Sequence, residues 1–108
     1  MACPFELSKD GIESQFATNH VGHFLFTLTL MPAIKNAQNP RIVNLSSSEH
    51  FRHPQNGIDF ENINSEKAHN TFTRYGQSKL ANMLFTYGID KRYGDFVTAN
   101  SVHPGGIF

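Results

Sequence analysis

The amino-acid sequence predicts an α/β protein in which two helices alternate with two parallel strands. Two observations lead to this fold class. Apolar residues recur at helical spacing up to residue 31 and again after residue 73, and a short β-branched run follows each of these stretches. The order helix, strand, helix, strand is typical of a βαβ unit, in which a helix connects two parallel strands.

The first helix is expected to begin near Ser8 or Asp10 and to continue to residue 31. Asp10 and Glu13 match the acidic variant of a capping box, which satisfies free N–H groups in the first helical turn. Apolar residues then recur at near-helical intervals, at Ile12, Phe16, Phe24, Leu28 and Met31. Pro32 is expected to kink or end this helix.

A strand, a second helix and a second strand are expected after the first helix. A strand is expected at residues 41–46, where Ile42 and Val43 lie between Pro40 and a serine cluster. A long helix is expected from the stretch TRYGQSKLAN to Gly94, followed by a strand at residues 96–102. The helix carries two apolar stripes, one with Leu80, Leu84 and Tyr87 and the other with Ala81 and Phe85.

A polar connection of about 20 residues separates the first strand from the second helix. Connections of this length without regular structure are uncommon in compact domains and are usually functional. Three phenylalanines in it, Phe51, Phe60 and Phe72, have two interpretations. They could line an apolar substrate pocket, or they could anchor the connection on the sheet.

Composition excludes several classes of protein. The 108 residues suggest one small domain, and nine basic and nine acidic residues leave no net charge for binding nucleic acid. The single cysteine, Cys3, excludes an internal disulfide framework. No run approaches the roughly 20 apolar residues of a membrane span, and the first residues lack a secretory signal pattern. A cytoplasmic, soluble chain is therefore expected.

The six histidines do not predict a metal site. His20 and His23 are three residues apart, as are His50 and His53. No carboxylate or cysteine completes a set of ligands around either pair. We expect His50 and His103 to lie in loops at the rim of a pocket.

Polar side chains converge at one edge of the predicted sheet. The first strand ends in three serines, and the second ends in the stretch HPGG. Because the carboxyl ends of parallel strands lie on the same side, ligands bind there in open α/β sheets. The second helix begins on that side and carries Tyr75 and Lys79 on one face, since they are four residues apart.

This trio of residue types suits acid–base chemistry on an alcohol or carbonyl oxygen. A tyrosine has a reference pKa of about 10 and is a poor base at neutral pH. An adjacent lysine ammonium favours the phenolate, and a serine hydroxyl can hold the reacting oxygen. A redox cofactor would then supply or accept the hydride on the neighbouring carbon.

Four motifs, NHVG, RIVNLSSSEH, RYGQSKLAN and VTANSVHPG, resemble the short-chain dehydrogenase/reductase family in content and order. The branch that they resemble contains retinol-dehydrogenase-like and WW-domain-oxidoreductase-like proteins. The resemblance implies a Rossmann-type doubly wound parallel sheet. Residues 1–108 would then be a single incomplete domain, the catalytic portion of an NAD(P)-binding fold.

The resemblance also implies roles for individual residues. Tyr75 matches the catalytic acid/base, and Lys79 matches the residue that supports it and hydrogen-bonds the nicotinamide ribose. In the family pattern N-x-S-S the second serine polarises the substrate, which assigns that role to Ser47 rather than to Ser46 or Ser48.

Three further positions match the family's cofactor site. Asn19 matches the residue whose helix is locally distorted to hold a water in a proton relay to the lysine. Pro104 and Gly105 match the pair that borders the nicotinamide. The implied cofactor is NAD or NADP, with NADP favoured, and the implied substrate is a small, lipophilic alcohol or carbonyl compound.

The chain departs from the family in one important respect. Its eight glycines never form the phosphate-binding G-x-G-x-x-G, and the residue that selects NAD or NADP is missing with it. We therefore expect a central-to-catalytic fragment without the family's C-terminal part, in which Met1 is internal and the isolated chain has little activity. The distance of 28 residues from Ser47 to Tyr75 indicates an enlarged loop.

Two alternatives remain open. The chain could be a non-catalytic, truncated product or a decoy that pairs with full-length relatives through its two helices, which is the surface of a possible homo-oligomer. It could also be a sugar-nucleotide epimerase or dehydratase, which shares the Tyr-x3-Lys arrangement. The serine cluster and HPGG match that group less well.

Overall fold

A computed structural model describes residues 1–106 and confirms the predicted α/β class. The helical elements are α1 (Ser14–Phe16), a π-helical turn (Ala17–Val21), α2 (Gly22–Lys35), a 3-10 turn (Ser48–Arg52) and α3 (Thr71–Tyr93). The strands are β1 (Arg41–Leu45) and β2 (Thr98–Val102). The order is the predicted one, and the single expected first helix contains the π-helical turn between α1 and α2.

The predicted cap of the first helix is wrong. Glu13 caps α1, because its carboxylate accepts hydrogen bonds from the backbone N–H groups of Gln15 and Phe16. Ser8 instead closes a turn, in which its backbone N–H donates to the Ile12 carbonyl at 2.8 Å and its hydroxyl accepts from the Ile12 N–H. A residue held in a preceding turn cannot cap the helix, so the helix begins several residues later than expected.

Pro32 does not end the first helix, as α2 continues to Lys35. Proline leaves one carbonyl of the preceding turn without its helical partner. Pro32 lies three residues before the end of α2, so its missing N–H removes a single helical hydrogen bond and the helix continues. Within residues 1–106, no helix combines the length and apolar character that a bilayer crossing requires.

The two strands pair in parallel, as predicted. Their register sets Arg41 opposite Thr98 and Leu45 opposite Val102, so both carboxyl ends lie at one edge. β2 begins two residues later than expected, because the backbone N–H of Val97 donates to the Tyr93 carbonyl instead of pairing in the sheet.

The core lies between α3 and one face of the sheet. Phe85 and Ile89 pack with Val97, and partly buried residues surround them: Leu28, Ile34, Ile42, Tyr93, Phe96 and Ala99. Of the two predicted stripes on α3, the one containing Ala81 and Phe85 is buried. Leu84 and Tyr87 are 52% and 65% exposed, so much of the other stripe faces outward.

Thr86 fastens the middle of α3 to both strands. Its hydroxyl oxygen accepts hydrogen bonds from Asn44 Nδ2 of β1 and Ser101 Oγ of β2, both at 2.8 Å. The Thr86 hydroxyl itself donates to the Asn82 carbonyl one helical turn earlier. These bonds hold the middle of α3 against both strands.

Gly76 allows α3 to touch the 3-10 turn that follows β1. A Cβ atom at this position would lie 2.8 Å from the Glu49 carbonyl oxygen and 2.9 Å from the Arg52 carbonyl carbon. Both are backbone atoms, which cannot move aside as a flexible side chain could. The glycine of RYGQSK is therefore required for this close approach.

We expect Gly76→Ala to destabilise the protein by about 1–3 kcal/mol, because the added methyl group overpacks a backbone contact. Gly88→Ala is the matched control on the same helix, where a Cβ atom would meet nothing within 4 Å. Gly88→Ala should stabilise the protein by about 0.5–1 kcal/mol, since alanine favours helix. Chemical denaturation of both variants tests this, and equal stability would contradict it.

Candidate active site

The serines after β1 have different partners. Ser46 is buried and its hydroxyl donates to the Lys79 carbonyl oxygen at 2.9 Å, which ties the strand end to α3. Ser47 is also buried and caps the 3-10 turn, where its hydroxyl oxygen accepts from the Glu49 N–H at 3.2 Å. Among residues 1–106, the Ser47 hydroxyl donates its proton to no partner. Ser47 thus has a donor available, whereas that of Ser46 is occupied.

Tyr75 and Lys79 lie together on α3, as their spacing predicts. Lys79 Nζ is 5.6 Å from the centroid of the Tyr75 ring and donates to the Leu45 carbonyl oxygen at 3.2 Å. Leu45 is the last residue of β1, so this bond connects the ammonium to the carboxyl end of the strand. Partial burial lowers the pKa of Lys79, since it disfavours the charged form.

Asn19 lies in the π-helical turn Ala17–Val21, so the local helix distortion that the resemblance implies is present. The Asn19 amide donates to Ser78 Oγ at 2.9 Å. Ser78 is fully buried and donates in turn to the Tyr75 carbonyl at 2.7 Å. Asn19 is thereby joined to the turn of α3 that carries Tyr75 and Lys79.

Sequence reasoning missed Asn82, which is 3% exposed and three residues after Lys79. Asn82 Nδ2 donates to the carbonyl oxygens of Asn19 and Leu45, each at 3.0 Å. Its Oδ1 lies 3.1 Å from His20 Nδ1. The available signal was an asparagine in the middle of a helix, where its propensity is poor and it cannot serve as a cap.

Pro104 and Gly105 lie beyond the carboxyl end of β2 and are exposed. Gly105 has φ +89°, a left-handed conformation that favours glycine. Within residues 1–106, neither hydrogen-bonds Tyr75 or Lys79. The strand ends do share a small cavity of about 140 Å³, lined by Ser46, Ser47, Ser48, His50, Met83, Ser101, Val102 and His103.

The three phenylalanines of the long connection do not form one pocket. Phe51 and Phe60 are 62% and 73% exposed, and Phe60 lines a groove between α2 and α3 instead of the strand-end cavity. The guanidinium carbon of Arg52 lies 5.7 Å from the centroid of the Phe72 ring. Neither interpretation holds for all three, because Phe51 lies in the 3-10 turn, Phe72 is the second residue of α3, and only Phe60 lines the groove.

Three histidines of the two pairs contact different backbone carbonyl groups. His23 Nδ1 lies 2.9 Å from the Asn19 carbonyl, and His50 Nδ1 lies 2.7 Å from the Ser47 carbonyl. His53 contacts the carbonyl of Pro54. Across the described part of the chain, no three histidine, cysteine or carboxylate side chains group as metal ligands would.

His20 is surrounded by aromatic rings. Its ring centroid lies 5.2 Å from that of Phe16, 5.7 Å from Phe24 and 6.0 Å from Phe85. Burial among these rings lowers the pKa of His20, and the hydrogen bond to Asn82 opposes this only in part.

We expect the free energy of unfolding to decrease as the pH falls below about 6.5, the ordinary value for histidine. The unfolded chain binds a proton at His20 before the folded chain does, so acid favours unfolding until the lowered pKa is passed. Denaturation of the wild type and His20→Gln between neutral and acidic pH isolates this contribution. An identical pH dependence in both proteins would contradict it.

The chain has relatives among characterised proteins, although no family model matches it. It is 48% identical over 113 residues to short-chain dehydrogenase TIC 32 A, chloroplastic, from Brassica napus, covering 97% of this chain and 35% of that protein. It is 43% identical over 106 residues to mouse retinol dehydrogenase 12, covering 97% of this chain and 33% of that protein. The chain therefore spans about a third of these relatives.

A solved structure has the same fold. The crystal structure of an uncharacterized protein from Mycobacterium paratuberculosis superposes with a TM-score of 0.83 at 38% identity, covering 97% of this chain and 38% of that one. The parallel strands and helices of residues 1–106 are thus a partial Rossmann-type α/β fold.

Proposed function

We propose that this chain, a homologue of short-chain dehydrogenases and retinol dehydrogenases, carries the acid–base centre of an NAD(P)-dependent oxidoreductase. The reaction is hydride transfer between a nicotinamide and an alcohol or carbonyl carbon. Tyr75, Lys79, Ser47 and Asn19 form the site. The cytoplasmic location expected from the sequence remains a prediction.

The placement of Lys79 is the observation that carries the proposal. Its ammonium lies beside the Tyr75 ring and is held by the last carbonyl of β1. A cation at this range stabilises a phenolate more than a phenol, because the charges are opposite. An arrangement that only stabilised the fold would not need a partly buried lysine at the ligand-binding edge of a parallel sheet.

The proton chemistry follows from the side chains. In carbonyl reduction, the Tyr75 hydroxyl donates its proton to the carbonyl oxygen as that oxygen gains negative charge. The Ser47 hydroxyl, whose donor is available, hydrogen-bonds the same oxygen and orients it. In alcohol oxidation the Tyr75 phenolate accepts the proton.

The residues present suit a nicotinamide cofactor. Lys79 Nζ has three N–H donors and, among residues 1–106, donates to the Leu45 carbonyl alone. The remaining donors suit the hydroxyl groups of a ribose. Pro104 and the left-handed Gly105 would border the nicotinamide, since they lie at the same sheet edge. When bound, NAD(P) supplies or accepts the hydride.

We propose a lipophilic alcohol or aldehyde as the substrate class. The support is the name of several relatives, the retinol dehydrogenases, since retinol is a lipophilic alcohol. The preference for NADP over NAD rests on the family resemblance.

The experiment uses a hybrid enzyme, in which these 108 residues replace the matching segment of mouse retinol dehydrogenase 12. We expect the hybrid to reduce lipophilic aldehydes with consumption of reduced nicotinamide. Ser47→Ala should lower kcat by roughly a hundredfold, because one donor to the reacting oxygen is lost. Ser48→Ala, at an exposed serine next to it, is the control. No turnover by a folded hybrid would contradict the proposal.

The partner that we propose for the outer faces of α2 and α3 is a second copy of the chain. Leu25 and Phe26 are 66% and 65% exposed, and an apolar groove of about 460 Å³ runs between the helices. Such exposed apolar surface usually marks an interface. Sedimentation analysis of the 108-residue chain tests this, and a monomer at all concentrations would contradict it.

A further inference from the structure

We infer that Asn82 is a positioning residue, which holds Lys79 and the Asn19 turn in place at the carboxyl end of β1. This inference rests on the proposed function, because positioning matters to catalysis only if Lys79 and Tyr75 act together. Among residues 1–106, the Asn82 side chain hydrogen-bonds neither the Tyr75 hydroxyl nor the Lys79 ammonium. It would act through the carbonyl groups that it binds.

Asn82 joins three elements with one amide group. From α3, it reaches the Asn19 carbonyl in the π-helical turn and the Leu45 carbonyl at the end of β1, both at 3.0 Å. The side chain is 3% exposed, so water does not compete for these bonds. A buried amide with satisfied partners specifies one arrangement of its neighbours, because every alternative leaves polar groups unpaired.

The orientation of the amide is determined by its surroundings. The two groups on one side of it are both carbonyl oxygens, which only accept hydrogen bonds. Nδ2 must face them, since Oδ1 in that place would lie about 3 Å from two other oxygens. Oδ1 then faces His20 Nδ1, which must carry a proton to donate to it. His20 therefore fixes the amide from the opposite side.

Lys79 depends on the same carbonyl group. The Leu45 oxygen has two lone pairs, and it accepts from Lys79 Nζ at 3.2 Å and from Asn82 Nδ2 at 3.0 Å. Without Asn82, this oxygen is held by a single flexible side chain. Lys79 would then lose the fixed anchor that keeps its ammonium beside the Tyr75 ring.

Asn19 is coupled to the same amide. Its carbonyl accepts from Asn82 Nδ2 and from His23 Nδ1, while its own side chain donates to Ser78. Loss of Asn82 releases the π-helical turn from the strand end, although His23 still satisfies the carbonyl. We therefore expect the loss of Asn82 to displace the π-helical turn, and not to leave the Asn19 carbonyl without a hydrogen-bond donor.

Two variants of Asn82 and one control separate positioning from stability. Asn82→Leu keeps the approximate volume of the side chain and removes its hydrogen bonds. Asn82→Ala also removes them and can be used if the leucine variant does not fold. Thr86→Val is the matched control, because Thr86 is also buried and ties α3 to both strands one turn further on. Thr86 binds neither the Leu45 nor the Asn19 carbonyl, and it lies outside the proposed catalytic site.

The first measurement is structural and uses the 108-residue chain. We expect nuclear Overhauser contacts between the Lys79 ε-protons and the Tyr75 ring in the wild type and in Thr86→Val. We expect these contacts to be lost or strongly weakened in both Asn82 variants. Absence of the contact in the wild type, or its retention in a folded Asn82 variant, would overturn the inference.

The second measurement uses the hybrid enzyme. Asn82→Leu should lower kcat on the order of tenfold and move the pH-rate limb of alcohol oxidation to higher pH, because a displaced ammonium favours the phenolate less. Thr86→Val should lower Tm and leave the limb unchanged. If wild type and Tyr75→Phe turn over equally, the proposed function fails. If Tyr75→Phe is inactive but Asn82→Leu behaves as Thr86→Val does, only the role of Asn82 fails.

Discussion

Tyr75→Phe in the hybrid enzyme is expected to reduce kcat by about a hundredfold to ten-thousandfold, the range that general acid–base catalysis contributes. The substitution removes the hydroxyl and leaves the ring beside the Lys79 ammonium. The backbone carbonyl of residue 75 still accepts from Ser78, so the helix keeps its internal contacts. Cofactor affinity should change little, because Lys79 and the strand ends are unaltered.

The matched control is Tyr87→Phe on the same helix. Tyr87 is 65% exposed and lies three turns from Tyr75, so removal of its hydroxyl should leave kcat unchanged. Steady-state kinetics and titration of cofactor fluorescence separate turnover from binding. Wild-type kcat in a folded Tyr75→Phe enzyme would remove Tyr75 from the chemistry.

Lys79→Met should lower kcat by about a hundredfold or more, since a preorganised charge at the site of reaction is lost. Methionine keeps the apolar part of the side chain, so the packing of its stem on α3 is largely retained. We also expect cofactor affinity to decrease, unlike in Tyr75→Phe, because the ammonium provides the donors proposed for the ribose. The two variants thus have different signatures.

The hybrid enzyme without further substitutions provides a second test of Lys79 at alkaline pH. Because burial lowers the pKa of Lys79, its charge should be lost below the pH at which an exposed lysine titrates, near 10.4. Activity at alkaline pH should therefore decline at a lower pH than the one at which an exposed lysine loses its charge. Lys91→Met, at an exposed lysine near the end of α3, is the control and should leave both kcat and this limb unchanged.

Much of the fold was predictable because local signals agreed. Gly94 follows the observed end of α3, and β1 lies between Pro40 and the serine cluster as expected. The residues at positions 75 and 79 share a helix face by spacing alone. The parallel pairing of the strands was also predicted, and the register of β1 and β2 confirms it.

The predictions that failed depend on contacts that a short stretch of sequence does not reveal. Ser8 and Asp10 looked like helix caps in isolation, yet Ser8 is committed to a turn with Ile12 and the cap falls to Glu13. The Glu13 backbone N–H donates to Asn64, 51 residues away, and local sequence cannot reveal this. The exposure of Phe60 likewise depends on the course of the long connection.

Asn82 illustrates the same limit within the candidate site. Its partners at positions 19 and 45 are 63 and 37 residues away, so no local pattern indicates that they meet. Asn82 is the last residue of the motif RYGQSKLAN, but that motif does not indicate which carbonyl groups its amide binds. The supporting contacts of the site could therefore be found only from three-dimensional structure.

We propose that Tyr75, Lys79 and Ser47 direct hydride transfer from a nicotinamide to a carbonyl carbon. The most direct measurement is the transfer of deuterium from reduced NADP that carries deuterium at both C4 positions of the nicotinamide, with mass spectrometry of the alcohol product. We expect one deuterium on the carbinol carbon with the hybrid enzyme, and about a hundredfold or more less labelled product in the same time with its Tyr75→Phe variant. Product without deuterium, or equal labelling by both proteins, would contradict it.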